Sequence, residues 1–192
     1  LDEPFSNLDA QLRGRTRWEV KHVLKDAGVS AIFVTHDQDE ALSLADRVGV
    51  MLNGQIVQAG TPEEVYGFPA SLEVAKFLGE VNLINGLAEN GVVHTELGLL
   101  QTPSRLKGSV TVVVRPETVT LHPVEQGKPT DQDGVLTRMV DREFYGHAQL
   151  VRLRLPSGQL LFVRCGPVQN FEFEEAVIAR VSTPVPAFPA IA

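Results

Sequence analysis

Cysteine is almost absent from this chain: Cys165 is the single one among 192 residues. A lone thiol excludes an internal disulfide, and the apolar, strand-like stretch around it predicts a buried, inert side chain suited to a reducing cytoplasm. No apolar run approaches the roughly 20 residues needed to cross a bilayer. The opening residues carry no basic-then-apolar leader pattern, so any work at a membrane is expected to go through a partner rather than by direct insertion. Positive charge is also in short supply. With 17 Lys and Arg against 24 Asp and Glu, the formal net charge is -7, which argues against nucleic acid, whose phosphates are bound by clustered cations. Nor does any segment read Gly-x-x-x-x-Gly-Lys-Ser/Thr, the loop whose backbone N–H groups cradle nucleotide phosphates; the turns at Gly54, Gly60 and Gly79 lack the lysine and hydroxyl in register. The remainder, 43% hydrophobic and 21% charged, has the ordinary balance of a globular chain able to bury a core, in one large domain or two small ones.

The first part reads as α/β. Leu12, Val20, Val23, Leu24 and Ala27 recur at helical spacing over residues 11–27, and Gly28 supplies a left-handed cap. The bases between them, Arg13, Arg15, Arg17, Lys21 and Lys25, are expected to form a solvated face, with Trp18 packing. Ala31-Ile32-Phe33-Val34 runs without alternation, as does a strand of a parallel sheet buried on both faces, and His36 stands at its carboxyl end, the edge where open α/β sheets bind ligands. A short helix over 38–45 and a strand over 47–52 follow. Asn53-Gly54 then predicts a tight hairpin returning along 55–59, and Thr61-Pro62-Glu63-Glu64 a capped helix start. Residues 71–78 predict one more helix.

After Gly79 helical spacing gives way to short β-rich runs at 110–114, 135–140, 149–155, 159–164 and 176–181, which suggest a small barrel or sandwich. Residues 127–134 read as a polar loop. The expected organisation is α/β over 1–79, all-β over 80–183, and an unstructured proline-containing tail over 184–192.

Asp2-Glu3-Pro4 alone is a common loop or helix-start sequence. It is followed, however, by Ser6-Asn7-Leu8-Asp9, a helix, and an apolar strand ending in Val34-Thr35-His36-Asp37, an ordered set at the βαβ spacing of roughly 30 residues. This set resembles the Walker B, D-loop and switch-histidine segments of ATP-binding cassette (ABC) ATPases. Farther on, Gly60-Thr61-Pro62-Glu63-Glu64-Val65-Tyr66, Phe77-Leu78-Gly79-Glu80-Val81-Asn82, Val113-Val114-Arg115-Pro116-Glu117 and the run from Glu143 to Leu153 resemble the junction and OB-type TOBE domain that follow the cassette in importer ATPases of the maltose, sulfate, polyamine and ferric-iron group. The likeness at Phe77 to Asn82 is nearest to sulfate/thiosulfate importers.

The resemblance implies the C-terminal portion of a P-loop ABC ATPase sheet joined to an OB-like TOBE barrel. It implies ATP and Mg²⁺ as cofactors, with Asp2 orienting the metal through water, Glu3 as general base, His36 contacting the γ-phosphate, and Asp9 beside the nucleotide at the seam of an ATPase homodimer. It also implies transmembrane permease subunits as partners and a peripheral position on the cytoplasmic face of the membrane. Neither the phosphate loop nor Leu-Ser-Gly-Gly-Gln, the signature sequence of that family, occurs here. The chain is therefore expected to be an N-terminally truncated piece, inactive by itself.

Weaker candidates are His94, His122 and His147, which lack ligand spacing, and Asp131-Gln132-Asp133-Gly134, which lacks the downstream glutamate of a calcium loop. Arg115 or Arg142 could meet an oxyanion, a stabilising surface role being the alternative. A free-standing dimerising or anion-sensing module remains a second functional reading. A DNA-repair type of ABC ATPase is disfavoured by the acidic charge and the β-rich second half.

Overall fold

The computed structural model describes residues 1–124, 134–169, 172 and 176–190. Two compact units divide the chain, Leu1–Ala70 and Ser71–Ala192. Among the described residues no helix is long and apolar enough to cross a membrane. The polar-loop and calcium-loop readings fall on residues 127–134 and, apart from Gly134, lie outside the described residues.

In the first unit, α1 (Ala10–Ala27) starts on Asp9, whose carboxylate accepts from the Leu12 N–H, and ends on Gly28 in the left-handed conformation. Next comes α2 (Gln38–Leu44), capped by Asp37. The strands β1 (Val48–Leu52) and β2 (Gln55–Gly60) pair antiparallel across Asn53-Gly54, both at positive φ as a tight hairpin of this type requires. Val48 and Val50 turn inward while Gly49 and Met51 face out. The helix α3 (Pro62–Gly67) opens with a complete capping box between Thr61 and Glu64 and buries Val65 completely.

One expectation fails here. The segment 30–35 is not a doubly buried strand: its pairing is a single parallel bridge between Asp2 and Val34, and Ile32 is 82% exposed. The continuous apolar run reports what the segment could bury; in this chain Ala31, Ile32 and Val34 are exposed, and Phe33 is half-buried with its ring stacked on Phe5. Nor is Trp18 packed in a core. It lies on the surface with its ring tilted against that of His22 one helical turn away, the centroids 3.9 Å apart.

The second unit begins with α4 (Leu72–Phe77), so the division falls before the change of texture at Gly79. Leu72 and Lys76 of this helix border a concavity with Leu83, Asn85 and Thr111 of the β-rich part. Among the described residues ten strands follow: β3 (Asn82–Glu89), β4 (Val92–Thr95), β5 (Gly98–Gln101), β6 (Gly108–Val114), β7 (Val119–Pro123), β8 (Val135–Phe144), β9 (Gln149–Arg154), β10 (Leu160–Cys165), β11 (Ala176–Val181) and β12 (Ala187–Pro189). They form two five-stranded antiparallel sheets ordered β12-β6-β3-β4-β5 and β10-β9-β8-β11-β7. Each sheet contains three strands joined in succession and a fourth that returns beside the first, namely β6 beside β3 and β11 beside β8. That is a Greek key, present twice.

Both sheets feed one core. Ile84, Val93 and Val112 from one and Leu153, Leu161 and Val177 from the other are fully buried in the same cluster. Asn82 joins the two with its side chain: Nδ2 donates to the carbonyls of Val114 at 3.3 Å and Phe162 at 2.8 Å, and Oδ1 accepts from the Phe162 N–H at 2.7 Å. The segment 184–192 is corrected as well, because β12 pairs with β6 through Ala187, Phe188 and Pro189. Proline is tolerated there because β12 is an edge strand.

Candidate functional site

The opening residues and the segment before α2 lie side by side. The Val34 N–H donates to the Leu1 carbonyl and the Glu3 N–H to the Val34 carbonyl, each at 2.8 Å, which aligns the two segments in parallel and brings their carboxyl ends to one edge. Glu3 then leaves the extended conformation at φ 42°. A positive φ is uncommon for a residue with a long side chain, and such strain is a recurrent feature of functional positions. The turn sends the Glu3 carboxylate toward His36, whose Nδ1 stands 2.7 Å from Oε1.

That hydrogen bond, followed by the charge of Glu3, raises the pKa of His36 above the ordinary imidazole value. Both side chains are open to solvent, His36 by 75% and Glu3 by 46%. The pair therefore favours a proton on the imidazole more than an isolated histidine would, while facing outward, an arrangement suited to a ligand arriving from solvent. Asp2 is exposed beside Glu3. Asp9 lies on the same connecting stretch and spends one carboxylate oxygen on the first turn of α1, 2.9 Å from the Leu12 N–H.

The bases of α1 are not a freely solvated face. Arg13 and Arg17 reach Asp37 at 3.3 and 3.0 Å, Arg17 also reaches Glu40 at 3.4 Å, and Lys21 donates to the Ser43 carbonyl; the other guanidinium of this run, Arg15, is the solvent-side one, paired with Glu19. Desolvation pushes the Asp37 carboxyl up, but the Glu40 N–H, Arg17, the Asp39 N–H and Arg13 outweigh it and hold the pKa below the usual value. Glu40 is buried, at 3% exposure. The sequence offered a signal for these contacts in the bases spaced by four on α1 and the acids opening α2, but only tertiary packing pairs them.

Arg115 is buried and donates to the Glu80 carbonyl, so a surface role for it is corrected, while Arg142 is exposed on β8. Cys165 is half-buried with its thiol pKa pushed up by burial. His94 and His122 stand on different sheets. Among the described residues no group of three or more His, Cys, Asp or Glu side chains forms a cation site.

Comparison with known proteins places these features in a lineage. Residues 112–183 match the TOBE domain family. The chain is 50% identical over 121 residues to a molybdate/tungstate import ATP-binding protein of Thermococcus kodakarensis, covering 63% of this chain and 37% of that protein. It is 39% identical over 169 residues to an Fe(3+) ions import ATP-binding protein of Pseudomonas fluorescens, covering 85% of this chain and 47% of the relative. A spermidine/putrescine import ATP-binding protein of Aster yellows witches'-broom phytoplasma is 41% identical over 144 residues, covering 73% and 33%. The chain thus spans less than half the length of each of these relatives.

Proposed function

This chain carries a TOBE domain and is a homologue of the ATP-binding subunits of ABC importers, and from that premise we propose that it is the part of such a subunit where the attacking water is activated and the γ-phosphate is sensed. The observation carrying this reading is the Glu3–His36 pair at the shared carboxyl edge of two parallel segments. Glu3 would take the proton of the water, and His36 would donate toward the γ-phosphate, its raised pKa favouring the protonated form. Asp2, an exposed hard-oxygen donor in direct sequence with Glu3, fits Mg²⁺, which takes one or two carboxylates and fills its remaining positions with water and phosphate. When bound, the ion supplies charge neutralisation for phosphoryl transfer. Asp9, next to the nucleotide at the seam between two ATPase subunits, is the contact through which a second copy would engage. Transmembrane permease subunits would receive the resulting motion at the cytoplasmic face of the membrane.

The test is hydrolysis measured in a protein that joins this sequence to a phosphate-cradling loop. Glu3→Gln is expected to lower kcat by at least a hundredfold with ATP still bound, and His36→Ala to lower it comparably; retention of full turnover by both variants overturns the reading. Isothermal calorimetry on the 192-residue chain itself is expected to give no micromolar ATP affinity, because its sequence has no such loop.

For the solute we propose a tetrahedral oxyanion. The sulfate/thiosulfate likeness at Phe77 to Asn82 and the 50% identity to a molybdate/tungstate protein support the same chemical class. Ferric iron is the second reading, favoured by the relative that covers 85% of this chain. Disruption of the gene is expected to abolish uptake of labelled sulfate or molybdate and leave labelled iron uptake intact; the reverse outcome selects the second reading.

A further inference from the structure

His36 is exposed, and among the described residues the side chain that hydrogen-bonds its ring is Glu3, so its placement must come from what holds the backbone on either side of it. Thr35 and Asp37 supply that hold. The Thr35 hydroxyl donates to Glu40 Oε2 at 2.7 Å and accepts from the Asp37 N–H at 3.0 Å, closing a small turn around His36. The acceptor Glu40 is buried, which makes its hydrogen bonds costly to lose, and its other oxygen lies 3.4 Å from Arg17. Asp37 accepts from Arg17 and Arg13 and caps the Glu40 N–H at 3.1 Å. Arg13 uses its second nitrogen on the Leu8 carbonyl at 2.9 Å, one residue before Asp9.

We propose that Thr35, Glu40, Arg17 and Arg13 are positioning residues that clamp His36 against Glu3, with Arg13 tying the His36 turn to the segment carrying Asp9. The clamp deepens the reading of His36 as the phosphate-sensing residue and rests on it for its purpose, though its geometry stands independently. Through Arg13, a displacement of the Asp9 segment by a second subunit would be transmitted to the His36 turn. A plain staple between α1 and α2 would use the same ion pairs, but it has no need of the Thr35 hydroxyl, which contributes to α2 and the turn and nothing to α1.

The test reads the His36 ring in the 192-residue chain by long-range ¹⁵N–¹H correlation at fixed pH, with backbone amide shifts of α1 and α2 as the fold control. Glu3→Ala supplies the signature of an unpaired ring. Thr35→Val, equal in volume and lacking the hydroxyl, is expected to move the His36 signature most of the way to that reference, and Thr35→Ser to restore it. Arg13→Met is expected to shift the Asp9 and His36 amides together. A signature that responds to Glu3→Ala but not to Thr35→Val overturns the clamp. A signature unmoved by Glu3→Ala overturns the Glu3–His36 pairing itself, which separates failure of the site from failure of its support.

Discussion

Nδ1 of His36 and Oε1 of Glu3 meet at 2.7 Å although 33 positions separate them in the chain. The hydrogen bond and the charge of Glu3 raise the pKa of His36 above the ordinary value of about 6.5. A folded-state pKa above the unfolded one contributes stability that is complete below about pH 6.5 and is lost as pH rises through the raised value, provided Glu3 is ionised. An NMR titration is expected to find the His36 midpoint above 6.5 in the native chain and lower in Glu3→Ala. Identical midpoints in the two proteins would contradict the pairing.

Asp37 behaves with the opposite sign. Burial works against its ionisation, yet the Glu40 N–H and Arg17 prevail and its folded-state pKa is depressed. Its contribution is therefore present above the unfolded value of about 3.9 and is lost as pH falls through the folded value. Asp37→Asn keeps a side chain able to cap α2, whereas Asp37→Ala does not. The alanine variant is expected to be less stable than the asparagine one by about 1 kcal/mol, the worth of a helix cap, in urea unfolding at neutral pH. In the native chain the Asp37→Asn loss should shrink as the solution is acidified below pH 4, and constancy across that range would show that the carboxylate charge does not contribute.

Asn82 is the polar pin between the two sheets. Replacing it with alanine strands the Phe162 N–H and deprives two carbonyls of their donor in a buried setting, at an expected cost of about 1–3 kcal/mol. Asn82→Asp keeps the acceptor for Phe162 but turns the donor into a second oxygen facing carbonyls, so it should be at least as damaging. The urea midpoint of the β signal in circular dichroism measures both; a loss smaller for Asp than for Ala would contradict the assigned amide orientation.

Gly86 is required by close approach rather than by its backbone angle. A Cβ there would stand 2.6 Å from Cγ1 of Val93, 2.7 Å from the His94 carbonyl and 2.8 Å from Cγ2 of Thr95. The carbonyl belongs to β4, which pairs with β3 at this point, so relief requires the strands to part. Gly86→Ala is expected to cost about 1–3 kcal/mol and to accelerate hydrogen exchange at the β4 amides. Unchanged exchange would mean that the strand accommodates the methyl without opening.

Local structure was legible wherever a residue's own chemistry decides the backbone. Gly28, Asn53-Gly54 and Thr61-Pro62-Glu63-Glu64 predict a cap, a hairpin and a capped helix, and each is present. The strands β4, β5, β7 and β12 escaped the sequence reading because they are short, and β3, eight residues long, because it includes asparagines and a glycine whose places are set by partners elsewhere. Asn82 looked like part of a junction. Its role exists only because Val114 and Phe162 fold around it. Arg13 and Arg17 looked solvated for the same reason, since the acids that engage them lie on another helix.

By itself the sequence singled out Asp2, Glu3 and His36, through motif resemblance, as the residues to propose for phosphoryl chemistry, and it determined the succession of an α/β part by a β-rich part, because motif order and hydrophobic periodicity are properties of the chain. Tertiary structure alone decided that Glu3 and His36 touch, that Arg13, Arg17 and Glu40 gather around the turn beside them, and that the β strands form two Greek keys over one core. Those outcomes depend on contacts between segments far apart in the chain, and such contacts form only where the packing of whole elements leaves buried charges and backbone groups a partner.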